Sequence, residues 1–379
     1  MSHEVAFHNA RIVTANAVFE GSLAIDEGLI VDIQEGHGQA GIDLDGDYLI
    51  PGLVELHTDH LENHYRPRPG VFWDPMAALQ AHDGQIAASG ITTVFDAVRI
   101  GSDIDLPDMG VHVGRLVDAI RTARDDDRLR VDHLIHLRCE LPSHDVLEHF
   151  EAYANHPVTR MASVMDHTPG QRQFTSMEAY KQFYKTKMGS TPEEAEGYLN
   201  DRLAEQIKYS AVHRQAISRR AAELGLVLAS HDDATIAQVE ESVRDGVRIA
   251  EFPTTLEAAA ASHDAGLAIL MGAPNVVRGK SHSGNISATD LVRAGLLDVL
   301  SSDYVPFALL QAAFVLPERI DSITLPQALK TVTLNPAHAA GLDDRGEIAI
   351  GKRADLVRVQ LIRGMPVVRG VWRQGKRVS

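Results

Sequence analysis

The sequence predicts an α/β fold: a closed (β/α)8 TIM-like barrel accompanied by a small β-sandwich formed from both chain ends. Three observations carry this expectation. From Pro51 onward, short apolar runs alternate with longer helical patterns, the signature of βα repetition around a parallel sheet. The runs number eight, which suits a barrel of about 250 residues. The segments before Pro51 and after Gly346 read instead as short strands broken by turns.

The elements follow in order. Strands are expected at Glu4 to Phe7, Ala10 to Thr14, Ser22 to Asp26 and Leu29 to Ile33, with Gly28 and Gly36-His37-Gly38 as turns. The barrel strands are expected at Gly52 to Asp59, Thr92 to Ala97, His133 to Glu140, Met161 to His167, Leu226 to His231, Arg248 to Phe252, Leu267 to Met271 and Asp298 to Asp303. A helical insertion over 176–224 interrupts the repetition, as a surface excursion or as a lid. Asp355 to Gln360, Met365 to Arg369 and Val371 to Gln374 then return as strands and complete the N-terminal unit. The expected division is therefore 1–50 with 346–379 for the small β domain and 51–345 for the barrel.

Composition narrows the function. With 379 residues, 44% hydrophobic and 23% charged, the chain can bury a large core like an ordinary globular protein. A net charge of -16 argues against nucleic acid or an anionic membrane as partner, while leaving room for a local basic pocket around an anionic small molecule. The single cysteine, Cys139, excludes an intrachain disulfide and an all-cysteine zinc site. No signal-peptide core or membrane-length apolar run is visible, so a cytoplasmic protein is expected. A homo-oligomer is compatible with this composition.

Nineteen histidines are the more telling count. In Pro51–Gly70, PGLVELHTDHLENHYRPRPG, strand alternation projects His57 and Asp59 together, and an imidazole beside a carboxylate can hold a divalent metal. The plainer reading is that Asp59 orients His57. Polar residues then recur at the ends of later strands, where a barrel keeps its chemistry: Glu140 after His136 and Arg138, then His167, His231 and Asp303. With His57 and Asp59 these offer three imidazoles and three carboxylates, enough for two zinc-like ions. His60 rivals Asp59, although alternation points it the other way. His82, His282 and Asp166 read as supporting residues.

At this point a resemblance appears. PGLVELHTDHLE, SGITTVFDA, LRCELP, MDHTPGQRQF, LASHDDAT, LMGAPNVVRGKSHSGN, LSSDY and GKRADLV span nearly the whole chain. It resembles the amidohydrolase superfamily, and within it the diphosphatases of the carbon-phosphorus lyase pathway, which act on a ribose methylphosphonate triphosphate. The resemblance implies a metal-dependent hydrolase that releases pyrophosphate from a phosphorylated sugar. Two departures stand out: His57-Thr58-Asp59 replaces the superfamily's His-x-His, and Glu140 and His167 fall on the third and fourth strands, one earlier than is frequent there.

The chemistry expected is hydrolysis assisted by one or two divalent ions, zinc first, with manganese or iron as alternatives. Asp303 is the candidate general base, and His231 is placed to position or protonate. Phosphoryl transfer spreads charge over the equatorial oxygens, so nearby cations matter. Arg66, Arg68, Arg138, Arg172, Arg278 and Lys280, with His282, are the candidates for substrate binding. Solvated surface arginines are the bland alternative. Two other functions stay in view: an amidohydrolase that opens a cyclic amide or deaminates a base, and a catalytically silent barrel serving as a scaffold.

Overall fold

The computed structural model describes residues 5–36, 41–102, 109–168, 192–279 and 285–379. Residues 176–191 of the expected insertion lie outside these, as do Glu4, His37 and Gly38. The chain opens with β1 (Val5–Val13), β2 (Val18–Asp26), β3 (Leu29–Glu35), β4 (Ile42–Asp43) and β5 (Tyr48–Pro51). Eight strands follow: β6 (Leu53–Thr58), β7 (Ile91–Ile100), β8 (Asp132–Glu140), β9 (Thr159–Met165), β10 (Val227–His231), β11 (Ile249–Glu251), β12 (Ala268–Gly272) and β13 (Val299–Ser301). The chain ends with β14 (Leu356–Ile362), β15 (Met365–Arg373) and β16 (Lys376–Arg377).

Helices alternate with the middle strands. After β6 come α1 (His60–Tyr65) and α2 (Pro75–Ala88), after β7 α3 (Met109–Asp125), and after β8 α4 (Val146–Tyr153). After β9 come α5 (Pro192–Glu205) and α6 (Ala211–Leu224), joined by a π-helical turn over Gln206–Ser210. Then follow α7 (Ile236–Arg244), α8 (Leu256–Asp264), α9 (Ala273–Arg278), α10 (Ala288–Arg293) and, after β13, α11 (Ala308–Arg319), α12 (Leu325–Lys330) and α13 (Leu334–Ala339). Local chemistry sets the helix ends. Asp74 accepts a hydrogen bond from the Ala77 amide at 2.8 Å, with Pro75 starting α2. Thr235 and Thr324 form reciprocal capping boxes with Gln238 and Gln327. Gly225 ends α6 at φ 67, a left-handed conformation that suits glycine.

The eight middle strands form one sheet in sequence order, and the fold is a (β/α)8 barrel. A parallel bridge from Thr58 to Asp303 joins the first strand to the end of the last. No helix among the described residues is long and apolar enough to cross a membrane.

The chain divides into two compact units, residues 1–96, 119–134 and 271–379, and residues 97–118 and 135–270. In the first unit the chain ends build one sheet in the order β16-β15-β14-β5-β1-β2-β3, with β4 beside β1. The expected sandwich is thus a single sheet that curls on itself. Phe7 of β1 meets Trp372 of β15 edge to face at 4.8 Å, although β5 and β14 lie between those strands in the sheet order. Ile12, Leu23, Ile25, Leu49 and Leu356 fill the same core. The two strands expected at Glu4 to Phe7 and Ala10 to Thr14 are one strand, β1, with a bulge between Phe7 and Ala10 where Asn9 takes φ 53. Likewise β15 joins the two short strands expected near its ends. Asp132 at the start of β8 anchors this unit: Arg345 reaches it at 2.7 Å, Arg353 at 2.8 Å and Arg373 at 3.3 Å.

In the second unit, β9 pairs in parallel with β8 and β10, and β11 with β10 and β12. The expected insertion is packed into this unit over its described part. Ser210 donates to Asp166 at 3.0 Å, His213 donates to the Leu141 carbonyl at 2.9 Å, and Arg214 donates to Asp245 at 2.5 Å.

Candidate active site

Within the first unit, the end of β6 meets the end of β13. Strand β6 is buried along its whole length, yet it carries Glu55, His57 and Thr58. A buried carboxylate needs partners, and Glu55 finds them in backbone: one oxygen accepts from the His57 amide at 2.6 Å, the other from the Ser302 amide at 2.5 Å. Burial nevertheless pushes the Glu55 carboxyl up to about 8, against the hydrogen bonds from Ser302 and His57. The Asp303 amide donates to the His57 carbonyl at 3.1 Å, and the Thr58 hydroxyl donates to the Asp303 carbonyl at 3.0 Å. These bonds bring His57 and Asp303 together, and Asp59 joins them, with a ligand atom of each within 4.8 Å of the others. Asp59 is not on the strand as expected. It stands one residue past it as the cap of α1, at φ -91 and ψ 15. The cap geometry, and not alternation along the strand, turns it toward His57.

His60 goes elsewhere. As the first residue of α1 it faces His64, at 5.1 Å between ring centroids, and His82, at 6.0 Å. Burial, with His82 and His64 adding to it, pushes the His60 imidazole down to about 4.

The second unit holds another donor set, built differently. Glu140 ends β8 with its side chain fully buried, and its oxygens bind side chains. His167 Nδ1 lies 2.6 Å from one oxygen, and the His167 amide donates to the other at 3.1 Å. Arg202 approaches at 3.4 Å and Arg99 at 3.8 Å. Burial works to raise the Glu140 carboxyl, and His167, Arg99 and Arg202 outweigh it, holding it far below the usual carboxylate range. His231, ending β10, repeats the pattern with its Nδ1 3.2 Å from Glu251, which ends β11. His136 Nδ1 lies 3.9 Å from the other Glu251 oxygen. The Nε2 atoms of both histidines face one carboxylate oxygen of Asp232, at 4.0 Å from His167 and 3.6 Å from His231. A carboxylate on one ring nitrogen with the other turned to a shared point is how proteins orient histidines on a metal. His167, His231 and Asp232 accordingly form a group that can hold an ion.

Three non-glycine residues at these strand ends, Asp232, Phe252 and Asp303, take left-handed backbone at φ 57, 53 and 55. Such strain persists where surrounding structure imposes it, and it clusters at functional sites. Phe252 packs edge-on against His231 at 5.3 Å.

The cations expected to bind substrate are described each in its own place. Arg66 caps the C-terminal end of α1, half-buried, with its guanidinium 5.9 Å over the Phe72 ring. Arg68 is exposed in the turn whose carbonyl accepts from the Val71 amide at 3.0 Å. Arg138 is half-buried on β8, and Arg278 is exposed in the last turn of α9. Arg172, Lys280 and His282 lie outside the described residues. Four residues of the second set were not among the sequence candidates: Asp232, Glu251, Arg99 and Arg202. Glu251 had a signal, since it is a polar residue ending a strand as Glu140 does. Asp232 stood beside His231 in LASHDDAT. The arginines gave none, because their pairing with Glu140 spans 41 and 62 positions of sequence.

A barrel with metal-ligand groups at the carboxyl ends of its strands defines a class of hydrolase, and comparison with known proteins agrees. Residues 244–379 match the model of the amidohydrolase family. The chain belongs to that superfamily. It is 46% identical over 374 residues, covering 98% of this chain and 99% of the relative, to the alpha-D-ribose 1-methylphosphonate 5-triphosphate diphosphatase of Escherichia coli strain K12. Among solved structures, 5-methylcytosine deaminase from Klebsiella pneumoniae liganded with 5-fluorocytosine aligns with a TM-score of 0.63 at 14% identity, covering 99% of this chain and 97% of that one. N-acetyl-D-glucosamine-6-phosphate deacetylase from Mycobacterium smegmatis aligns with a TM-score of 0.60 at 16% identity, covering 100% of both. These two likenesses concern the fold.

Proposed function

We propose that this protein is a metal-dependent diphosphatase that hydrolyses alpha-D-ribose 1-methylphosphonate 5-triphosphate, releasing pyrophosphate and leaving the ribose 1-methylphosphonate 5-phosphate. The observation that carries the proposal is the 46% identity to the Escherichia coli enzyme over 98% of this chain and 99% of that one. Each donor set is assigned a metal, because each stands at the carboxyl ends of parallel strands where such barrels carry their chemistry. The donor types fit a divalent transition ion: imidazoles with carboxylates, grouped within reach of one another in each set. His57, Asp59 and Asp303 would hold one ion, and His167 and His231 with Asp232 a second, zinc before manganese or iron. When bound, a divalent ion polarises a phosphoryl oxygen and lowers the pKa of water.

The chain's own residues supply the rest. Asp303, fixed by its backbone bonds to His57 and Thr58, accepts the proton of the attacking water. Water oxygen adds to the phosphorus next to the ribose, the bond from that phosphorus to the bridging oxygen breaks, and pyrophosphate leaves. Glu140 and Glu251 act through histidines, fixing the rings of His167 and His231 so that Nε2 carries the lone pair. Arg66, Arg68, Arg138, Arg172, Arg278, Lys280 and His282 are assigned to the triphosphate oxygens, where cations favour the charge spread of the transition state. The reaction is placed in the cytoplasm.

The test is a substrate screen with purified, metal-loaded protein. Pyrophosphate release from the ribose triphosphate, well above release from nucleoside triphosphates and without hydrolysis of dihydropyrimidine amides or deamination of cytosine, is expected. Amide hydrolysis without pyrophosphate release would replace this reading.

A further inference from the structure

Beside the strand ends, the first unit contains a second concentration of imidazoles that the hydrolysis does not use. His60 and His64 lie one turn apart on α1 and so share a face. His82 comes from the interior of α2, fully buried. The three rings are mutual neighbours: His60 to His64 at 5.1 Å, His64 to His82 at 5.7 Å and His60 to His82 at 6.0 Å. One ring nitrogen of each lies within 4.8 Å of the others.

Their hydrogen bonds are arranged as those of metal-binding histidines are. His82 Nε2 lies 2.8 Å from Asp96 Oδ1, and His64 Nε2 lies 3.0 Å from Gln85 Oε1. Both partners accept, so in each ring the proton belongs on Nε2 and the lone pair on Nδ1. Asp96 is itself fixed, its other oxygen 2.7 Å from His133 Nδ1, with Asp83 3.4 Å from His133 Nε2 and Arg130 holding Asp83 at 2.9 Å. The Nδ1 atoms of His82 and His60 are buried and have no hydrogen-bond partner among the described residues. A buried nitrogen lone pair without a donor is costly, and a cation with affinity for imidazole removes that cost.

We propose that His60, His64 and His82 form a separate site for a divalent ion of the zinc, cobalt or nickel kind, tying α1 to α2. Three imidazole nitrogens with a carboxylate behind one of them suit such an ion and not magnesium or calcium, which take oxygen ligands. Occupancy would hold in place the short helix that runs from the His57-Thr58-Asp59 segment to Arg66.

Metal content tests this without an assay of activity. Wild type, His64→Gln and His167→Ala are equilibrated at one buffered free zinc concentration, and bound zinc is measured by elemental analysis. His64→Gln is expected to hold one equivalent fewer than wild type, with zinc affinity at that site weakened by at least the roughly 10–100-fold that loss of an outer partner costs. His167→Ala is expected to keep this equivalent, which separates the site from the donors assigned to hydrolysis. Cobalt loading gives a second reading, a ligand-field band that weakens in His64→Gln and in His60→Gln. Should His64→Gln not fold, His60→Gln carries both measurements. Equal zinc content and the same cobalt spectrum in wild type and a folded variant would overturn the proposal.

Discussion

The two donor sets reach similar chemistry by different means. In the first, His57, Thr58 and Asp303 are positioned by main chain, with Glu55 receiving two backbone amides and Asp303 bonded to β6 through its own amide and carbonyl. In the second, side chains hold side chains: Glu140 on His167, Glu251 on His231, and arginines around Glu140. The difference predicts how each fails. A side chain aimed by backbone can be changed without moving its neighbours. A buried carboxylate that balances cations cannot, because its loss leaves charge without compensation.

The largest effect should come from Asp303. Replacing it by Asn keeps the amide and carbonyl bonds that place it, so the urea midpoint should stay near wild type while kcat falls by roughly 10²–10⁴, the usual weight of a general base. A large loss of stability with little loss of kcat would show that the first set is not held by backbone. Glu140→Gln should behave in the opposite way. It should cost about 3 kcal/mol in urea denaturation, since Arg99 and Arg202 lose the buried charge of Glu140, and should weaken metal binding about 10–100-fold through a loosened His167. Unchanged stability and zinc affinity would remove Glu140 from that role.

Asp132 sharpens the contrast, being a carboxylate held among arginines. Asp132→Asn should destabilise by about 3 kcal/mol, leaving zinc content unchanged. Burial works to raise its carboxyl, and Arg353, Arg345 and Arg373 outweigh it, keeping it below its ordinary 3.8. A depressed carboxylate favours the fold while ionised. Its contribution is therefore whole above about pH 4 and is lost as pH falls through the folded value. Wild type should lose stability on acidification more steeply than Asp132→Asn, and parallel curves would refute the linkage. The smallest effect belongs to Arg66. Arg66→Ala should lower kcat/KM for the triphosphate about ten- to a hundredfold with metal content unaltered, as loss of a charge-assisted contact does. Wild-type kinetics would return it to its contact with Phe72.

Much of this architecture was legible because buried parallel strands are apolar runs ended by polar residues. Each of the eight barrel strands overlaps its expected range, His231 ends its strand and Asp303 stands two residues past the end of another. What escaped was set by geometry that a local pattern does not carry. Asp59 reaches His57 from a helix cap, and β1 crosses its own bulge at Asn9. The β unit formed from both chain ends was legible, but not that one continuous sheet builds it. Arg99 and Arg202 meet Glu140 only through the fold. The histidine group on α1 and α2 was half legible, since four-residue spacing joins His60 to His64 while nothing local brings in His82.

The most direct measurement is phosphorus NMR of alpha-D-ribose 1-methylphosphonate 5-triphosphate turned over by metal-free protein before and after zinc is restored. Restored protein should convert the triphosphate signals to pyrophosphate and a sugar monophosphate, and metal-free protein should leave them unchanged. Equal turnover without metal, or release of inorganic phosphate in place of pyrophosphate, would contradict a metal-dependent diphosphatase.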